Sequence, residues 1–326
     1  MDDGEAHPIA MKIVLMATLA APLLASGAGW ENISDAVTAK LPAAEGGPTG
    51  GVAVDRVSGD VFMVVSGHGL WKSADHGATF VQLDDGSVGG ICATGWALQV
   101  DPNGGRLDCF MLHGGSAMTA DGGKSWTKSQ MSDFDCGAVD WEDTGKRLLA
   151  IRHESGALAT SDDGGATWLD GPKGFSGCGV FDHQTFVVTR SRQKGIYRTA
   201  TTGANWTTVS SDTPTAAVAV IFKGVAYWEA AKGILTSRDK GLTWSWLGAP
   251  VEASFGPYFG ESENHFVVVG RDGFQETKDG GKTFHPAAPL PEGFGVSSDG
   301  VSYAWDPKAD IFYASSVHKP AYKYQR

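Results

Sequence analysis

The sequence predicts an all-β protein, a seven-bladed β-propeller of four-stranded antiparallel blades. Three observations support this prediction. A short motif returns about every 40 residues, strand-like runs bounded by turn residues fill the intervals, and helical periodicity is weak after residue 30. At 326 residues, the chain is long enough for one large all-β domain.

The repeated motif pairs a hydroxyl residue with an Asp, a Gly and an aromatic residue at fixed offsets. Five good copies occur: SADHGATF from Ser73, TADGGKSW from Thr119, SDDGGATW from Ser161, SRDKGLTW from Ser237 and TKDGGKTF from Thr277. A sixth, TATTGANW from Thr199, has Thr201 in the Asp position. Several short strands per unit of this length are typical of propeller blades.

Each motif lies between the third and fourth strand-like runs of its unit, which predicts a hairpin turn. In such a turn the carboxylate accepts backbone N–H bonds, the Gly takes a positive φ and the aromatic ring packs on the sheet. The prediction for these carboxylates is therefore structural; they are Asp75, Asp121, Asp163, Asp239 and Asp279.

These motifs resemble the Asp-box, or BNR, repeat of sialidases, family-74-type xyloglucanases, sortilin-like receptors and photosystem assembly factors. The resemblance covers most of the chain after the leader. It implies a propeller fold and leaves the activity open. The chain contains no Arg-Ile-Pro segment, which sialidases of this superfamily carry, so true sialidase activity is not expected.

The two ends of the chain predict how the ring closes. After Phe284 come three more strand-like runs without a fourth, and the segment GWENISDAV near the start resembles the strand that follows each box. We predict that this N-terminal strand completes the last blade, with Trp30 packed beside Tyr322 and Tyr324. Six blades, one for each box, is the alternative.

Residues 1–28 are predicted to be a leader with a secretory signal that starts at Met11, and residues 29–326 to be a single propeller domain. The expected location is secreted or periplasmic. In such a compartment up to two disulfides, in three alternative pairings, are expected among Cys92, Cys109, Cys136 and Cys178. A net charge of −11 argues against nucleic acid as a partner and, once the signal is removed, against an anionic membrane surface.

Propeller topology separates the turns onto two faces. The Asp boxes share one face with the first-to-second turns, whereas the second-to-third turns and the blade connections surround an axial funnel on the other. The second-to-third turns offer His68, His113, Arg152, His153, Arg190, Arg192, Glu229, Arg271 and His318. The connections add Trp96, Asp135 and Tyr258.

Imidazole and guanidinium groups suit an anionic or hydroxyl-rich ligand, and exposed aromatic rings suit stacking on a sugar. The sequence therefore predicts a funnel that binds a glycan or polysaccharide, with glycoside hydrolysis as an added activity. His113, His153, Glu229 and Asp135 are the catalytic candidates. Polysaccharide lysis at uronic acids by the His and Arg residues is one alternative, and a non-catalytic scaffold for a protein partner is another. No cofactor is expected, although a structural or His-bound metal stays open.

Overall fold

The computed structural model describes Met1 and residues 29–42, 47–86, 88–296, 300–317 and 319–326. Residues 2–28, which hold the predicted signal, lie outside the described residues, as does His318. The described part contains seven four-stranded antiparallel sheets and one short helix. The fold is thus the predicted seven-bladed β-propeller.

The strands follow each other from the innermost to the outermost position of each blade. The chain begins with β1 (Glu31–Asn32) and α1 (Asp35–Thr38). Blade 1 contains β2 (Thr49–Val54), β3 (Val61–Val65), β4 (Gly69–Ser73) and β5 (Val81–Gln82). Blade 2 contains β6 (Leu98–Val100), β7 (Leu107–Phe110), β8 (Gly115–Thr119) and β9 (Thr127–Ser132). Blade 3 contains β10 (Phe134–Val139), β11 (Leu148–Arg152), β12 (Leu158–Ser161) and β13 (Leu169–Asp170).

The remaining blades repeat this order. Blade 4 contains β14 (Phe175–Val180), β15 (Phe186–Arg190), β16 (Gln193–Thr199) and β17 (Thr207–Ser210). Blade 5 contains β18 (Val220–Phe222), β19 (Val225–Ala230), β20 (Gly233–Ser237) and β21 (Ser245–Leu247). Blade 6 contains β22 (Phe255–Phe259), β23 (Phe266–Gly270), β24 (Gly273–Thr277) and β25 (His285–Ala288). Blade 7 contains β26 (Val301–Asp306), β27 (Ile311–Ser316) and β28 (Lys319–Gln325), and β1 is its outermost strand.

The N-terminal strand closes the ring as predicted. β1 pairs antiparallel with β28, with Asn32 opposite Tyr322. The Trp30 ring lies 5.6 Å from Tyr324 and 6.1 Å from Phe274 of blade 6, and its Nε1 donates to the Pro289 carbonyl at 3.1 Å. Seven blades are confirmed and the six-blade alternative is wrong, because the described strands form seven four-stranded sheets.

Each Asp box forms the hairpin turn that its residues predict. In blade 1, Asp75 accepts from the Thr79 N–H at 2.8 Å, the Thr79 hydroxyl at 2.6 Å and the Ser73 hydroxyl at 2.7 Å. Gly77 has φ +87, and a Cβ there would lie 3.1 Å from the Ile33 side chain. The hydrogen bonds from Thr79, ahead of that from Ser73, lower the pKa of Asp75 to about 2.

The core is a ring of apolar layers between neighbouring blades. Between blades 2 and 3, for example, Trp168 packs on Phe134 at 5.1 Å and on Phe110 at 6.1 Å. Each such aromatic pair contributes about 0.5–1.5 kcal/mol beyond its buried area. These layers fix the angle between blades and so position the turns at both ends of the axis.

The expected disulfides are not formed. All four cysteines are free and buried, and burial raises the pKa of Cys92 to about 12. The Cys136 thiol donates to the Ala217 carbonyl at 3.8 Å, and its interaction with the Cys178 thiol, together with burial, raises its pKa well above the usual value. The cysteines act here as small apolar core residues.

Candidate functional site

A funnel of about 1120 Å³ opens on the face opposite the Asp boxes. Blade connections and second-to-third turns line it, and none of its lining residues belongs to a box. A smaller cavity of about 140 Å³ follows the axis towards the box face. Trp96 lines both cavities and stacks on Tyr258 at 6.5 Å, so these two rings lie between the funnel and the lower channel.

His153 and Asp135 form a hydrogen-bonded pair in the funnel. The His153 Nδ1 lies 2.6 Å from Asp135 Oδ1, and both side chains are partly exposed. Since a carboxylate only accepts, Nδ1 carries the proton, and in the neutral ring Nε2 is then the basic nitrogen. The pair therefore presents an oriented imidazole base.

A β-bulge places Asp135 in this position. The pairing of β10 with β11 skips from Phe134 to Cys136, so Asp135 is the extra residue of the bulge. Its carbonyl accepts a hydrogen bond from the Thr94 hydroxyl at 2.8 Å. Bulges re-aim side chains next to functional sites, and here the bulge directs a carboxylate to the histidine.

Strained backbone surrounds the same pair. His113, Asp133 and Glu154 have φ of 58, 62 and 55, although none is a glycine. The His113 N–H donates to Asp133 Oδ1 at 3.2 Å, and the His113 ring lies 6.5 Å from that of His153. The backbone N–H of His153 donates to the Asp133 carbonyl at 2.7 Å. Such strain persists only where neighbouring contacts hold it, and it concentrates at functional sites.

Three cations line the funnel on the blade 4 side: Lys173, Arg190 and Arg192. The described lining also contains two carboxylates, Asp135 and Glu154, so the described lining residues carry a net charge of +1, with the histidines neutral, in a chain of net charge −11. Such an island focuses an attractive potential on an anionic ligand.

Arg190 is the most constrained of these cations. Its guanidinium carbon lies 5.1 Å from the Phe175 ring centroid and 4.8 Å from that of Tyr197. Its Nε is buried and has no hydrogen-bond partner among the described residues. A buried donor of this kind is rare in folded proteins and costly to leave unpaired.

Several other predicted residues lie apart from this cluster. Arg152 pairs with Asp170 at 3.6 Å, and Arg271 is exposed and pairs with Glu252 at 3.1 Å. His68 Nε2 lies 2.8 Å from the Pro42 carbonyl, at a separate groove. Trp96 and Tyr258 were expected as exposed stacking rings, but Trp96 is only 7% exposed and the Tyr258 hydroxyl is buried.

Glu229 is not exposed in the funnel, contrary to expectation. The sequence places it in a turn, but β19 extends to Ala230, so the carboxyl group points into the packed blades. It is fully buried, both its oxygens are without a hydrogen-bond partner in the described part, and burial raises its pKa well above the usual value.

Lys173 and Ser176 line the funnel and were missed from the sequence. Lys173 belongs to the connection that enters blade 4, whereas Ser176 lies in the first strand of that blade. Ser176 is the bulge residue of β14, at the position equivalent to Asp135. The order of strands along the chain could have indicated these residues, since every connection between blades reaches the funnel face.

Among the described residues no three His, Cys, Asp or Glu side chains are grouped as a metal site would require. Within the same part of the chain no helix has the length and apolar character needed to cross a membrane.

No family model matches this chain, and no curated protein matches its sequence. Solved structures do match. A GH74 enzyme from Niastella koreensis has 16% identity and a TM-score of 0.56, over 90% of this chain and 53% of the enzyme, so this chain spans about half of that enzyme's length. YCF48 from Cyanidioschyzon merolae has 12% identity and a TM-score of 0.50, over 91% of this chain and 99% of YCF48.

The extracellular domain of a hybrid two-component system from B. thetaiotaomicron has 11% identity and a TM-score of 0.50, over 85% of this chain and 39% of that one. These neighbours are β-propellers, in agreement with the predicted fold. At such identities the likeness shows the fold alone.

Proposed function

We propose that the funnel binds an acidic carbohydrate and that Arg190 anchors a carboxylate of that ligand. The observation that carries the proposal is the guanidinium itself, which lines the funnel with a buried Nε that has no described partner. Two aromatic faces restrict its motion. A ligand carboxylate would pair with this guanidinium, whose charge no described carboxylate neutralises, in the geometry that guanidinium groups favour.

The rest of the lining fits a ligand that is rich in hydroxyl groups. Lys173 and Arg192 provide further positive charge, and several lining side chains donate and accept hydrogen bonds. These side chains are Thr94, Ser155, Ser176, Ser191, Gln193 and Thr215. The volume of about 1120 Å³ suits a saccharide of several units.

Glycoside hydrolysis has less support than binding. It needs two carboxylates that flank the glycosidic bond. The described carboxylates that line the funnel are Asp135 and Glu154, and Asp135 is already bonded to His153. The likeness to a GH74 enzyme agrees with a carbohydrate ligand, and a protein-binding scaffold is the second candidate.

The test is a binding titration with a glucuronate-containing polysaccharide and with the same polymer after its carboxyl groups are reduced to alcohols. We expect the acidic polymer to bind at least about tenfold more tightly, since a hydrogen bond to a charged group contributes about 1.5–3 kcal/mol. Poly-glutamate controls for charge without sugar rings and should bind weakly. Equal affinity for both polymers would overturn the proposal, and tight binding of poly-glutamate alone would favour a protein partner.

A further inference from the structure

We infer that His153 cleaves the bound polysaccharide by β-elimination, and that the substrates are 4-linked glucuronate or mannuronate chains. This inference rests on the proposed function, because it requires a uronate held in the funnel. It adds a reaction, a catalytic residue and a stereochemical class of substrate.

The first requirement of the reaction is a base of fixed orientation. Asp135 accepts the Nδ1 proton of His153 at 2.6 Å, which leaves the Nε2 lone pair to take a proton. The backbone of His153 is also fixed on both sides. Its N–H donates to the Asp133 carbonyl, and its carbonyl accepts from the Ser155 N–H at 2.5 Å. The imidazole is thereby oriented before any ligand arrives.

The second requirement is a group that makes the substrate proton acidic. The proton on C5 of a uronate is adjacent to the carboxylate, and its removal pushes negative charge onto that group. A cation that binds the carboxylate stabilises this charge as it develops. Arg190, which lines the funnel and is held between two aromatic rings, has this role, and Lys173 and Arg192 lie along the same funnel wall.

The step balances without a further reactant. Nε2 of His153 takes the C5 proton, the electron pair of that bond forms the C4–C5 double bond, and the bond between C4 and the glycosidic oxygen breaks. The imidazolium then gives its proton to the departing oxygen. The products are an unsaturated uronate at one new end and an ordinary reducing sugar at the other, and no water is consumed.

The stereochemical prediction follows from the use of one group as base and acid. The described residues that line the funnel include no tyrosine, so we assign both proton transfers to His153. One imidazole serves both atoms only when the C5 proton and the C4 oxygen lie on the same side of the ring. They do so in glucuronate and mannuronate, whereas in galacturonate and guluronate they lie on opposite sides.

The decisive experiment incubates the purified protein with glucuronan, polymannuronate and polygalacturonate and records both the ultraviolet absorbance and the product masses. We expect unsaturated products, lighter by one water than hydrolysis products, from the first two polymers only. Comparable cleavage of polygalacturonate would overturn the assignment of both transfers to His153. Binding of the acidic polymers without any product would overturn the inference and leave the proposed function intact.

Variants then test the assigned roles. His153→Ala should retain binding and lose at least about a hundredfold in kcat, within the range expected for a missing general acid–base. His285→Ala is the matched control, since that exposed histidine lies on β25, the outermost strand of blade 6, and lines neither cavity; it should stay within about threefold of the wild type. Equal losses in the two variants would contradict the assignment.

Asp135 is a positioning residue, and its test needs a readout beyond the rate. In Asp135→Asn the imidazole loses the carboxylate that orients it, so kcat should fall by at least about tenfold while KM changes little, and Asp135→Glu should recover part of the lost rate. An unchanged kcat in Asp135→Asn, with a normal melting temperature, would contradict this role. If the wild-type protein does not bind the acidic polysaccharide, the proposed function itself is refuted.

Discussion

Blades 3 and 4 carry an arginine at the same place, but the two arginines have different partners. Arg152 lies opposite Phe134 across the strand pair, and Arg190 lies opposite Phe175. Each guanidinium covers its phenyl ring, at 5.6 Å in blade 3 and 5.1 Å in blade 4. The local frame is therefore shared, and the difference must come from the outer strands.

Two outer positions account for the difference. In blade 3, Ala159 pairs with Asp170, and that carboxylate reaches the blade 3 arginine at 3.6 Å. In blade 4, Tyr197 pairs with Thr208 at the equivalent positions, and the tyrosine ring covers the arginine while no described carboxylate reaches it. The comparison shows how one repeat produces an arginine paired with a carboxylate in one blade and an arginine without a described carboxylate partner in the next.

The largest effect is expected from removing the blade 4 charge. Arg190→Gln should weaken acidic-polysaccharide binding by about 10- to 100-fold, the range expected for a hydrogen bond to a charged group. Arg152→Gln is the matched control and should change affinity by less than about twofold, because Asp170 already neutralises that arginine. Isothermal titration measures both. Equal losses in the two variants would show that the blades do not differ in function.

The next effect comes from converting blade 4 to the pattern of blade 3. The double variant Tyr197→Ala with Thr208→Asp should pair Arg190 with a new carboxylate and weaken acidic-ligand binding by several-fold. Tyr197→Ala alone keeps the charge unpaired and should lose less. If the double variant binds the acidic ligand as tightly as Tyr197→Ala alone, the pairing of Arg152 with Asp170 does not explain why blade 3 has no ligand role.

A smaller effect concerns stability, because the same two blades differ in their boxes. Asp163 of blade 3 accepts from the Thr167 N–H at 2.9 Å and the Thr167 hydroxyl at 2.6 Å, whereas Thr201 of blade 4 accepts from the Asn205 N–H at 3.1 Å. Asp163→Ala should cost about 1 kcal/mol, and Thr201→Ala about half of that. Thermal melts should show the larger decrease in Tm for Asp163→Ala. The reverse order would contradict the account of the box.

The smallest effect is the pH dependence of the stability that Asp163 contributes. Hydrogen bonds from Thr167 and Ser161 outweigh the opposing effect of burial and lower the pKa of Asp163 from its usual 3.8. The stability that this carboxylate provides is therefore complete above about pH 4, and it is lost as the pH falls through the lowered pKa. The difference in Tm between the wild type and Asp163→Asn should shrink as the pH falls from neutral to about 2. A constant difference would show that ionisation of this group is not involved.

The fold was predictable because its determinants are local. Eight residues of a box specify a turn by their own hydrogen bonds, and a regular interval between boxes specifies a blade. The position of Trp30 likewise predicted the closing strand, since the same aromatic-first pattern follows each box.

The site was predictable only to the level of the face. Topology placed His153 and Arg190 at the funnel, but the bulge that brings Asp135 to His153 depends on strand register, which the sequence does not display. Glu229 was misplaced because β19 continues through Ala230, so its side chain points inward from a paired strand and not outward from a turn. Whether an arginine is neutralised depends on a partner about 18 residues away across two strands, as for Arg152 and Asp170.

The measurement that tests the central claim most directly is a thermodynamic cycle of binding affinities, in which the Arg190 charge and the ligand carboxylate are removed separately and together. Affinities are measured for the wild type and Arg190→Gln, each with a glucuronate oligosaccharide and with its carboxyl-reduced counterpart. The account predicts that the substitution weakens the acidic ligand by at least about tenfold more than the reduced one. Equal weakening of both ligands would show that Arg190 does not bind the carboxylate and would contradict the account.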